Sequence, residues 1–514
     1  MVNLQAVFAI LMLPFRWPDS LIPPTTRKSF AIIGGGSSGL AALEVLRELQ
    51  DASNPWDIVL LEQRRDVGGI WLPDHDKPDP PALPETPLYP LLHTNTPVPS
   101  MTYPGFPFPP GTPLYPTHEH IYAYHRRYAE HFDLTPHIQF NHTVDAARWI
   151  GDAEDGHWDL LVSTESGQTT RAADHLIVAT GNNHYPHIPV WKGQDIWLAR
   201  DARREIVHAS YYSAPEKYTN RTVVVVGGRA SALDIVTQVS VHAARTFLSS
   251  RSPVSWEPEG PITYKGDIAN FTEHAIWFLD GTSVDADVVI LGTGYENLFP
   301  FLEAGGMIRT DPSARRAGDD DNILLHTNTR YVFPLHEHIL TLASGLPVTA
   351  LAFIGLPVFV ANCPSDRIQA LYAVHAMANS SLLPSRDALL SELDERENWI
   401  RAQGEDPYRV GHRQLKPGGH DYQDGLWRYL QTHGAVPDDG EPYVEAWRRN
   451  MTEIGAALKR GWQRIERLGR QREWLAGVET EEEWAALQER IARWQMRWEE
   501  GRGIFIAKEQ PVFP

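Results

Sequence analysis

Residues 30–46, with the sequence FAIIGGGSSGLAALEVL, decide how this chain begins to fold. Residues 30–33 form an apolar run typical of a short buried strand, and the pattern GxGxxG at residues 34–39 follows directly. A helical pattern comes next, and a second apolar strand over residues 57–61 leads into Glu62. This order of strand, glycine turn, helix and acid-terminated strand predicts a Rossmann-type unit that binds a dinucleotide.

Each of these motif residues has a physical role in binding a dinucleotide. Gly34 permits the tight turn, Gly36 lets backbone amides approach a pyrophosphate, and Gly39 lets the helix pack closely on the strand. The amino terminus of the helix, which includes Ser38, supplies a favourable field for phosphate groups. The carboxylate of Glu62 is predicted to accept hydrogen bonds from ribose hydroxyls.

The sequence GGIW at residues 68–71 indicates which dinucleotide binds. This GG-x-W element is typical of large FAD-dependent enzymes, in which the backbone passes close to the flavin. We therefore predict that the first unit binds FAD, with Gly69 and Trp71 among its contacts.

A second unit of the same kind begins with the strand at residues 222–226. Its turn keeps Gly227, whereas Arg229 and Ala232 stand where further glycines are usual. The next strand ends in Ser-Ser-Arg at 249–251 rather than in an acid, which favours the 2′-phosphate of NADPH over NADH. A site that binds no nucleotide is the alternative, because Arg229 is long enough to fill the pyrophosphate space. The predicted NADPH contacts are Gly227, Arg229, Ser231, Ser250 and Arg251.

The order of these patterns predicts an α/β protein with two Rossmann-like dinucleotide-binding domains. The NADPH domain is inserted into the FAD domain, and the strand expected at residues 287–291 returns the chain to the FAD domain. From residue 386 onward the sequence is mostly helical and charged, and its tryptophans are expected to pack against the body of the protein. The predicted boundaries are a leader at 1–27, the FAD domain at 28–185 and 285–383, the NADPH domain at 186–284, and a helical extension at 384–514.

Composition and charge argue against several classes of protein. The 514 residues include 46 lysines and arginines against 65 aspartates and glutamates, and a net charge of −19 repels nucleic acid. The one cysteine, Cys363, excludes a disulfide framework, a CxxC redox centre and therefore a flavin disulfide reductase. No metal site is predicted, and the low cysteine content fits a cytoplasmic protein.

The apolar run at residues 6–15, AVFAILMLPF, is too short to span a bilayer. It also lacks the flanking residues of a signal peptide. We expect it to pack on the body of the protein or to form a poorly ordered leader. Contact with a membrane surface through this run is the alternative.

The whole set of patterns resembles the flavin-containing monooxygenases, particularly their fungal members. The resemblance covers residues 28–380 and includes motifs beyond the two glycine turns. In chain order these motifs are YPLLHTNTP at 89–97, YPGFPF at 103–108, YPTH at 115–118, ATG at 179–181, HASYY at 208–212 and GTGY at 292–295.

The resemblance implies a single-component, NADPH-dependent monooxygenase that acts through a flavin C4a-hydroperoxide. Such an enzyme inserts one atom of O2 into a nitrogen or sulfur of a small amine, thioether or thiol. By the same resemblance Asn95 faces the flavin and holds the oxygenated flavin or the substrate, and His208 and Tyr212 hold the oxidised nicotinamide over the flavin. The other cofactor contacts that it implies are Thr94, Thr180, Gly181, Gly294 and Tyr295.

Three positions depart from the family pattern. Ala202 and Arg204 replace an aromatic residue and a glycine that precede the family's histidine, and Trp197 lies nearby in the sequence as a substitute. Arg367 stands before Gln-Ala where the family tends to have a glutamate. These changes leave FAD binding untouched and put the family's handling of NADPH in doubt.

The residues leave three alternatives open. Asn95 has a structural interpretation as a loop-capping residue, and His208 has one as a packed histidine. Baeyer–Villiger oxidation of a ketone is the nearest rival reaction, although the related motif ends in tryptophan instead of Tyr212. The third alternative is a flavoprotein that only oxidises NADPH or serves as a binding scaffold.

Overall fold

The computed structural model describes residues 27–50, 53, 55–251, 254, 258–316, 323–415 and 418–502. The predicted apolar leader lies outside the described residues. The described chain folds into two compact units. The first unit contains the described residues up to Leu72, Thr96–Asn182 and those from Asn297 onward, and the second contains those of Pro73–Asn95 and Asn183–Glu296.

Strands dominate the first two thirds of the chain and helices the last third. The strands are β1 (Ser29–Ile33), β2 (Asp57–Glu62), β3 (Ile138–Phe140), β4 (Thr143–Gly151), β5 (Gly156–Thr164), β6 (Gly167–Ala173), β7 (His175–Val178), β8 (Tyr185–Pro186), β9 (Glu205–His208), β10 (Thr222–Val226), β11 (Arg245–Ser249), β12 (Ile262–Lys265), β13 (Ile268–Phe271), β14 (Ile276–Phe278), β15 (Ser283–Val284), β16 (Val288–Leu291), β17 (Tyr295–Glu296), β18 (Ile308–Thr310), β19 (Leu325–Thr327), β20 (Val332–Phe333), β21 (Leu335–His336), β22 (Leu340–Thr341) and β23 (Leu351–Phe353). The helices are α1 (Ser37–Leu49), α2 (His118–His131), α3 (Gln194–Arg200), α4 (Ala230–Ser240), α5 (Pro300–Ala304), α6 (Asn362–Ala378), α7 (Arg386–Ala402), α8 (Pro407–Val410), α9 (Gly419–Thr432), α10 (Ala446–Arg467), α11 (Gln471–Leu475) and α12 (Glu481–Glu500). In the part of the chain that the structure describes, no helix is both long and apolar enough to cross a membrane.

The first unit is built on a seven-stranded sheet in the order β21-β22-β23-β7-β1-β2-β3. The strands from β23 to β3 are parallel, and Ile33 at the end of β1 pairs with Leu61 and Val178 of the two neighbouring strands. Because parallel strands end at the same edge of a sheet, this register places the turn after β1 between the ends of β2 and β7. The strand, turn, helix and strand predicted at the start of the chain are all present.

Strand β1 is buried on both faces because two different layers cover it. Phe30 and Ile32 share a hydrophobic cluster with residues of α1, α2 and α6. Ala31 and Ile33 belong to a second cluster, which includes Trp158 of the antiparallel sheet β4-β5-β6. A strand covered on both sides reads as an apolar run without alternation, as this one does.

The second unit has a five-stranded parallel sheet in the order β12-β11-β10-β16-β9. Helix α4 covers one face through Ile235 and Val239. Trp197 of α3 and Phe271 of β13 cover the other face. The prediction of two Rossmann-like domains in an α/β protein is confirmed.

The extent of the second unit differs from the predicted range of 186–284. Strand β16, which was expected to return to the FAD domain, pairs with β10 and β9 in the second sheet. The segment Pro73–Asn95 also belongs to the second unit, where the hydroxyl of Tyr89 donates a hydrogen bond to Asp234. An apolar pattern identifies a strand but not the sheet that the strand joins, so these two segments could not be placed from the sequence.

The carboxyl-terminal extension is helical, as predicted, and contains α7 to α12. Helices α10 and α12 pack side by side. Trp462 and Trp484 of these helices are almost fully buried in the same hydrophobic cluster as Phe30 of β1. These tryptophans therefore join the extension to the core of the first unit.

Arg448 of α10 is a buried link between the extension and the rest of the first unit. Its guanidinium donates hydrogen bonds to the carbonyl of Pro99 at 2.8 Å and to the hydroxyl of Thr102 at 2.8 Å. It also pairs with Glu481 of α12 at 3.1 Å. Burial raises the pKa of Glu481, an effect that the charge of Arg448 opposes.

We predict that Arg448→Met lowers the free energy of unfolding by about 3–5 kcal/mol, because it leaves the Glu481 carboxylate and the Pro99 carbonyl buried without this partner. Chemical denaturation followed by circular dichroism measures the change. The control is Arg493→Ala, which removes an exposed pair with Glu489 within one helix and should cost less than about 0.5 kcal/mol. Equally small losses in the two variants would show that Arg448 does not hold the extension in place.

Candidate cofactor sites

The glycine turn after β1 fits closely against its neighbours. Gly34 has a φ of +106°, in the left-handed region, and a Cβ there would lie 2.5 Å from the carbonyl oxygen of Ala179. A Cβ on Gly39 would collide with the carbonyl of Gly34, so α1 approaches the turn only because glycine stands there. These contacts are the tight turn and the close helix packing that the motif predicts.

The carboxylate of Glu62 is fixed beside this turn. Its Oε2 accepts a hydrogen bond from the amide of Gly35 at 2.5 Å, and its Oε1 accepts one from the amide of Arg64 at 2.7 Å. An ionised carboxylate accepts hydrogen bonds through both oxygens, which is the chemistry that a ribose hydroxyl requires. The end of β2 thus presents an oriented acid next to the glycine motif.

The GG-x-W element passes directly over the turn. The amide of Gly68 donates to the carbonyl of Gly35 at 2.9 Å. A Cβ on Gly69 would lie 2.9 Å from the Cα of Gly36, and the guanidinium of Arg64 donates to the Gly69 carbonyl at 3.0 Å. The structure therefore brings the two glycine motifs of the first unit into backbone contact.

The open side of the turn fits a dinucleotide pyrophosphate. The residue that caps α1 is Gly36, which has no side chain to accept from the first-turn amides of this helix. A Cβ on Gly36 would meet only the backbone of Gly69, at 3.5 Å. First-turn amides have no acceptor within their own helix, and the helix field favours an anion at this end. These features match the diphosphate of FAD.

The other predicted contacts of the first unit lie around the same edge of the sheet. Thr180 and Gly181 are exposed just beyond β7, and a Cβ on Gly34 would lie 3.3 Å from the Cα of Thr180. Trp71 is half-buried at the end of the GG-x-W turn. Ser38 is buried and faces Gly355, which follows β23.

Sequence reasoning missed Asp366 at this site. Its carboxylate accepts a hydrogen bond from the hydroxyl of Ser37 at 2.7 Å. Asp366 lies in α6, far along the chain from the glycine motif, and no spacing in the sequence connects the two. Only the packing of α6 against α1 brings them together.

The second glycine turn follows the same geometry with one exchange. A Cβ on Gly227 would collide with the carbonyl of Gly292. Ala232 stands where the motif usually has its third glycine, and its Cβ packs against Gly292 instead. A Cβ on Gly292 would lie 2.7 Å from the Cβ of Ala232. Gly292, directly after β16, therefore provides the space that the third glycine of the motif usually provides.

The predicted NADPH contacts lie at the same end of the second sheet. Arg229 directly precedes α4, and both Arg229 and Ser231 are exposed. After β11 the amide of Ser250 donates to the carbonyl of Lys265 at 3.2 Å. The side chain of Arg251 is 68% exposed and pairs with Asp267 at 3.9 Å, so its guanidinium lies at the surface of this end of the sheet.

His208 joins the end of β9 to the GTGY loop. Its Nδ1 accepts from the amide of Ser210 at 3.1 Å, so the ring proton is on Nε2, which donates to the carbonyl of Gly294 at 3.1 Å. Burial lowers the pKa of His208 to about 4, so the ring is neutral at physiological pH. Tyr295 packs edge-on against the ring at 5.1 Å. His208, Gly294 and Tyr295 are thus brought together in the second unit.

Tyr212 is a core residue of the second unit. It is fully buried, and its hydroxyl donates to Gln238 of α4 at 3.0 Å. Its ring meets Tyr89 edge-on at 5.1 Å between centroids. This placement differs from the predicted contact with nicotinamide, because the core and α4 surround the ring. Of the other predicted residues in this unit, Thr94 is buried and Asn95 is exposed.

The departures from the family pattern have structural explanations. The guanidinium of Arg204 stacks on the ring of Trp197 at 4.9 Å and pairs with Asp285 at 3.0 Å. Arg204 and Trp197 therefore have a structural role within the second unit. Arg367 of α6 pairs with Glu44 of α1 at 3.2 Å and ties the two helices together. Neither arginine lies in a glycine turn.

A family model described as flavin-binding monooxygenase-like matches residues 27–257 and 258–416. The chain belongs to this family. It is 27% identical over 455 residues to flavin-containing monooxygenase FMO GS-OX-like 2 of Arabidopsis thaliana, covering 84% of this chain and 89% of the relative.

Solved structures share the fold. That of S-allyl-L-cysteine S-oxygenase from Allium sativum has a TM-score of 0.70 at 22% identity and covers 91% of this chain and 99% of that one. The open structure of cyclohexanone monooxygenase has a TM-score of 0.52 at 14% identity, covering 81% of this chain and 98% of that one. The protein is an FAD- and NADPH-dependent monooxygenase that acts on a small molecule and O2, as predicted.

We predict that Gly36→Val abolishes FAD binding while the protein stays folded. A Cβ has room beside Gly69, but a branched side chain occupies the space of the pyrophosphate, so FAD binding should be lost. Flavin absorbance per protein and circular dichroism measure the two properties. The comparison variant is Gly34→Val, which should lose the fold as well, because of its φ and the nearby Ala179 carbonyl. Full flavin retention in Gly36→Val would remove this turn from the FAD site.

Proposed function

We propose that the protein inserts one atom of O2 into the sulfur or nitrogen of a small thioether, thiol or amine. NADPH supplies two electrons, and the second oxygen atom leaves as water. The name of the Arabidopsis relative identifies it as a flavin-containing monooxygenase, and an S-oxygenase is among the proteins that share this fold. Both support the proposal.

The residue type at position 212 favours this reaction over Baeyer–Villiger oxidation. In the related motif of Baeyer–Villiger enzymes, tryptophan ends the element that here ends in Tyr212. The phenol fits a fully buried place and donates to Gln238, whose amide in turn donates to Asp234 at 3.0 Å. A larger indole would overpack this core.

This reaction requires the protein to position the reactants and does not require it to transfer protons. When bound, the flavin supplies an electrophilic oxygen atom, which a sulfur or nitrogen lone pair attacks without the help of a base. His208 is neutral, and its one N–H donates to Gly294, so it adds no acid to the site. The carboxamide of Asn95 offers a donor and an acceptor without a labile proton.

Separate assays with three small substrates test the proposed oxygen transfer. A thioether, a tertiary amine and a cyclic ketone are each incubated with NADPH and air, and mass spectrometry identifies the products. We expect a sulfoxide or an N-oxide in proportion to the NADPH consumed. A lactone from the ketone alone would establish the rival reaction, and NADPH consumption without any product would establish an uncoupled oxidase.

Arg251 carries the predicted preference for NADPH, together with Ser250. A charge-assisted contact with a phosphate is worth roughly 1.5–3 kcal/mol, so Arg251→Ala should weaken the use of NADPH by about ten- to a hundredfold. The use of NADH should barely change. The rate of flavin reduction at varied concentrations of each cofactor measures both effects.

The matched control for Arg251→Ala is Arg203→Ala. Arg203 is an exposed arginine of the same unit that pairs with Asp201, and its loss should leave both cofactors unaffected. Equal losses for NADPH and NADH in Arg251→Ala would mean that Arg251 supports the fold instead.

Asn95→Ala should uncouple oxygen transfer from NADPH oxidation. FAD content and reduction by NADPH stay nearly intact, because hydride transfer does not use Asn95, while product formation falls by about a hundredfold with the loss of one preorganised hydrogen bond. Oxygen consumption then continues as hydrogen peroxide release. The ratio of product to NADPH consumed is the observable, and the same ratio in the variant and the unaltered protein would remove Asn95 from the active site.

A further inference from the structure

A buried carboxyl group lies against the first turn of α1. Asp366 of α6 is 3% exposed, and its Oδ2 accepts a hydrogen bond from Ser37 Oγ at 2.7 Å. The side chain of Ser38 also hydrogen-bonds to this carboxyl group. The two serines of the glycine motif therefore share an acceptor that lies outside the motif.

The surroundings of Asp366 leave its charge uncompensated. The titratable groups of the described chain that face it are Cys363 on the same helix, Tyr103 on the loop before α2 and Tyr422 of α9. Burial raises the pKa of each of these three groups, so all are neutral near pH 7. Burial also raises the pKa of Asp366 to about 7, although its serine hydrogen bonds oppose the change. Asp366 is thus a group whose charge changes in the neutral range while its neighbours stay neutral.

The structure also shows how Asp366 is held at this place. Its neighbour Gln369, one helical turn further along α6, accepts a hydrogen bond from the amide of Gly355 at 3.1 Å. The hydroxyl of Tyr103 donates to the carbonyl of Ser37 at 2.7 Å. The carboxyl group therefore cannot move away from the first turn of α1 without breaking contacts of α6.

We propose that Asp366 is a positioning residue for FAD whose protonation state sets the affinity of the protein for this cofactor. The neutral carboxyl group orients Ser37 and Ser38 and leaves the field of the helix terminus undiminished. The carboxylate keeps the same hydrogen bonds but adds a negative charge behind amides that face the diphosphate, and the two like charges repel each other in a buried setting.

The direction of the pH effect follows from linkage. FAD binds better to the form with protonated Asp366, so FAD binding raises the pKa of this carboxyl group and draws a proton onto it. The affinity for FAD is therefore highest below the pKa of Asp366 in the FAD-free protein. It falls as the pH rises through that pKa and levels off above the pKa of the FAD-bound form.

Dissociation of FAD from the full-length holoprotein tests the proposal without reference to activity. Dilute holoprotein is equilibrated between about pH 6 and about pH 8.5, and the fluorescence of released FAD gives the dissociation constant. We expect this constant to rise about five- to tenfold over the range. In Asp366→Asn, which keeps an acceptor for Ser37 but carries no charge, it should stay constant and match the low-pH value of the unaltered protein.

Two further variants make the result specific. Ser37→Ala removes a hydrogen bond that favours the carboxylate, so the transition in FAD affinity should move to higher pH, and this holds even if Asp366→Asn fails to fold. Glu44→Gln, at another buried carboxyl group of the same helix pair, should keep the transition of the unaltered protein. A dissociation constant that does not change with pH, or a transition that persists in Asp366→Asn, would overturn the proposal. Failure of the FAD assignment itself shows separately, as flavin retention in Gly36→Val.

Discussion

The carboxylate of Glu62 is the constraint on which the first unit depends. It accepts hydrogen bonds from the amides of Gly35 and Arg64, and so it joins the end of β2 to the turn after β1. A slip of one residue between these strands would break the bond to Gly35 and turn the apolar side chains of β1 away from the layers that cover them. The hydrogen bond between Gly68 and Gly35 also requires this register. The position of the GG-x-W element over the turn therefore depends on it as well.

The two units meet one packing requirement in two ways. In the first, the helix after the glycine turn approaches the strand because Gly39 has no side chain. In the second, Ala232 occupies that place, and the room comes from Gly292, which directly follows the neighbouring strand β16. A motif that looks incomplete in the sequence is therefore complete in space. This explains why the second unit keeps a Rossmann sheet despite its altered turn.

Local patterns allowed the prediction of both glycine turns and of their flanking strands and helices, because those features arise from neighbours in the chain. They also led to the correct family and cofactors. The burial of Tyr212, the contact of Asp366 with Ser37 and the membership of Pro73–Asn95 in the second unit could not be predicted in this way. Each depends on packing between distant segments, and residue type alone does not distinguish a tyrosine that fills a core from one that touches a ligand.

The proposed reaction transfers one oxygen atom from O2 to a sulfur or nitrogen atom of the substrate. Isotopically labelled dioxygen tests it most directly, in a reaction with NADPH and a thioether or amine, followed by mass spectrometry of the product and a count of NADPH consumed. We expect one labelled oxygen atom in each product molecule and one molecule of NADPH oxidised for each product molecule. Unlabelled product, with its oxygen drawn from water, or oxidation of NADPH that yields only hydrogen peroxide with every substrate, would contradict it.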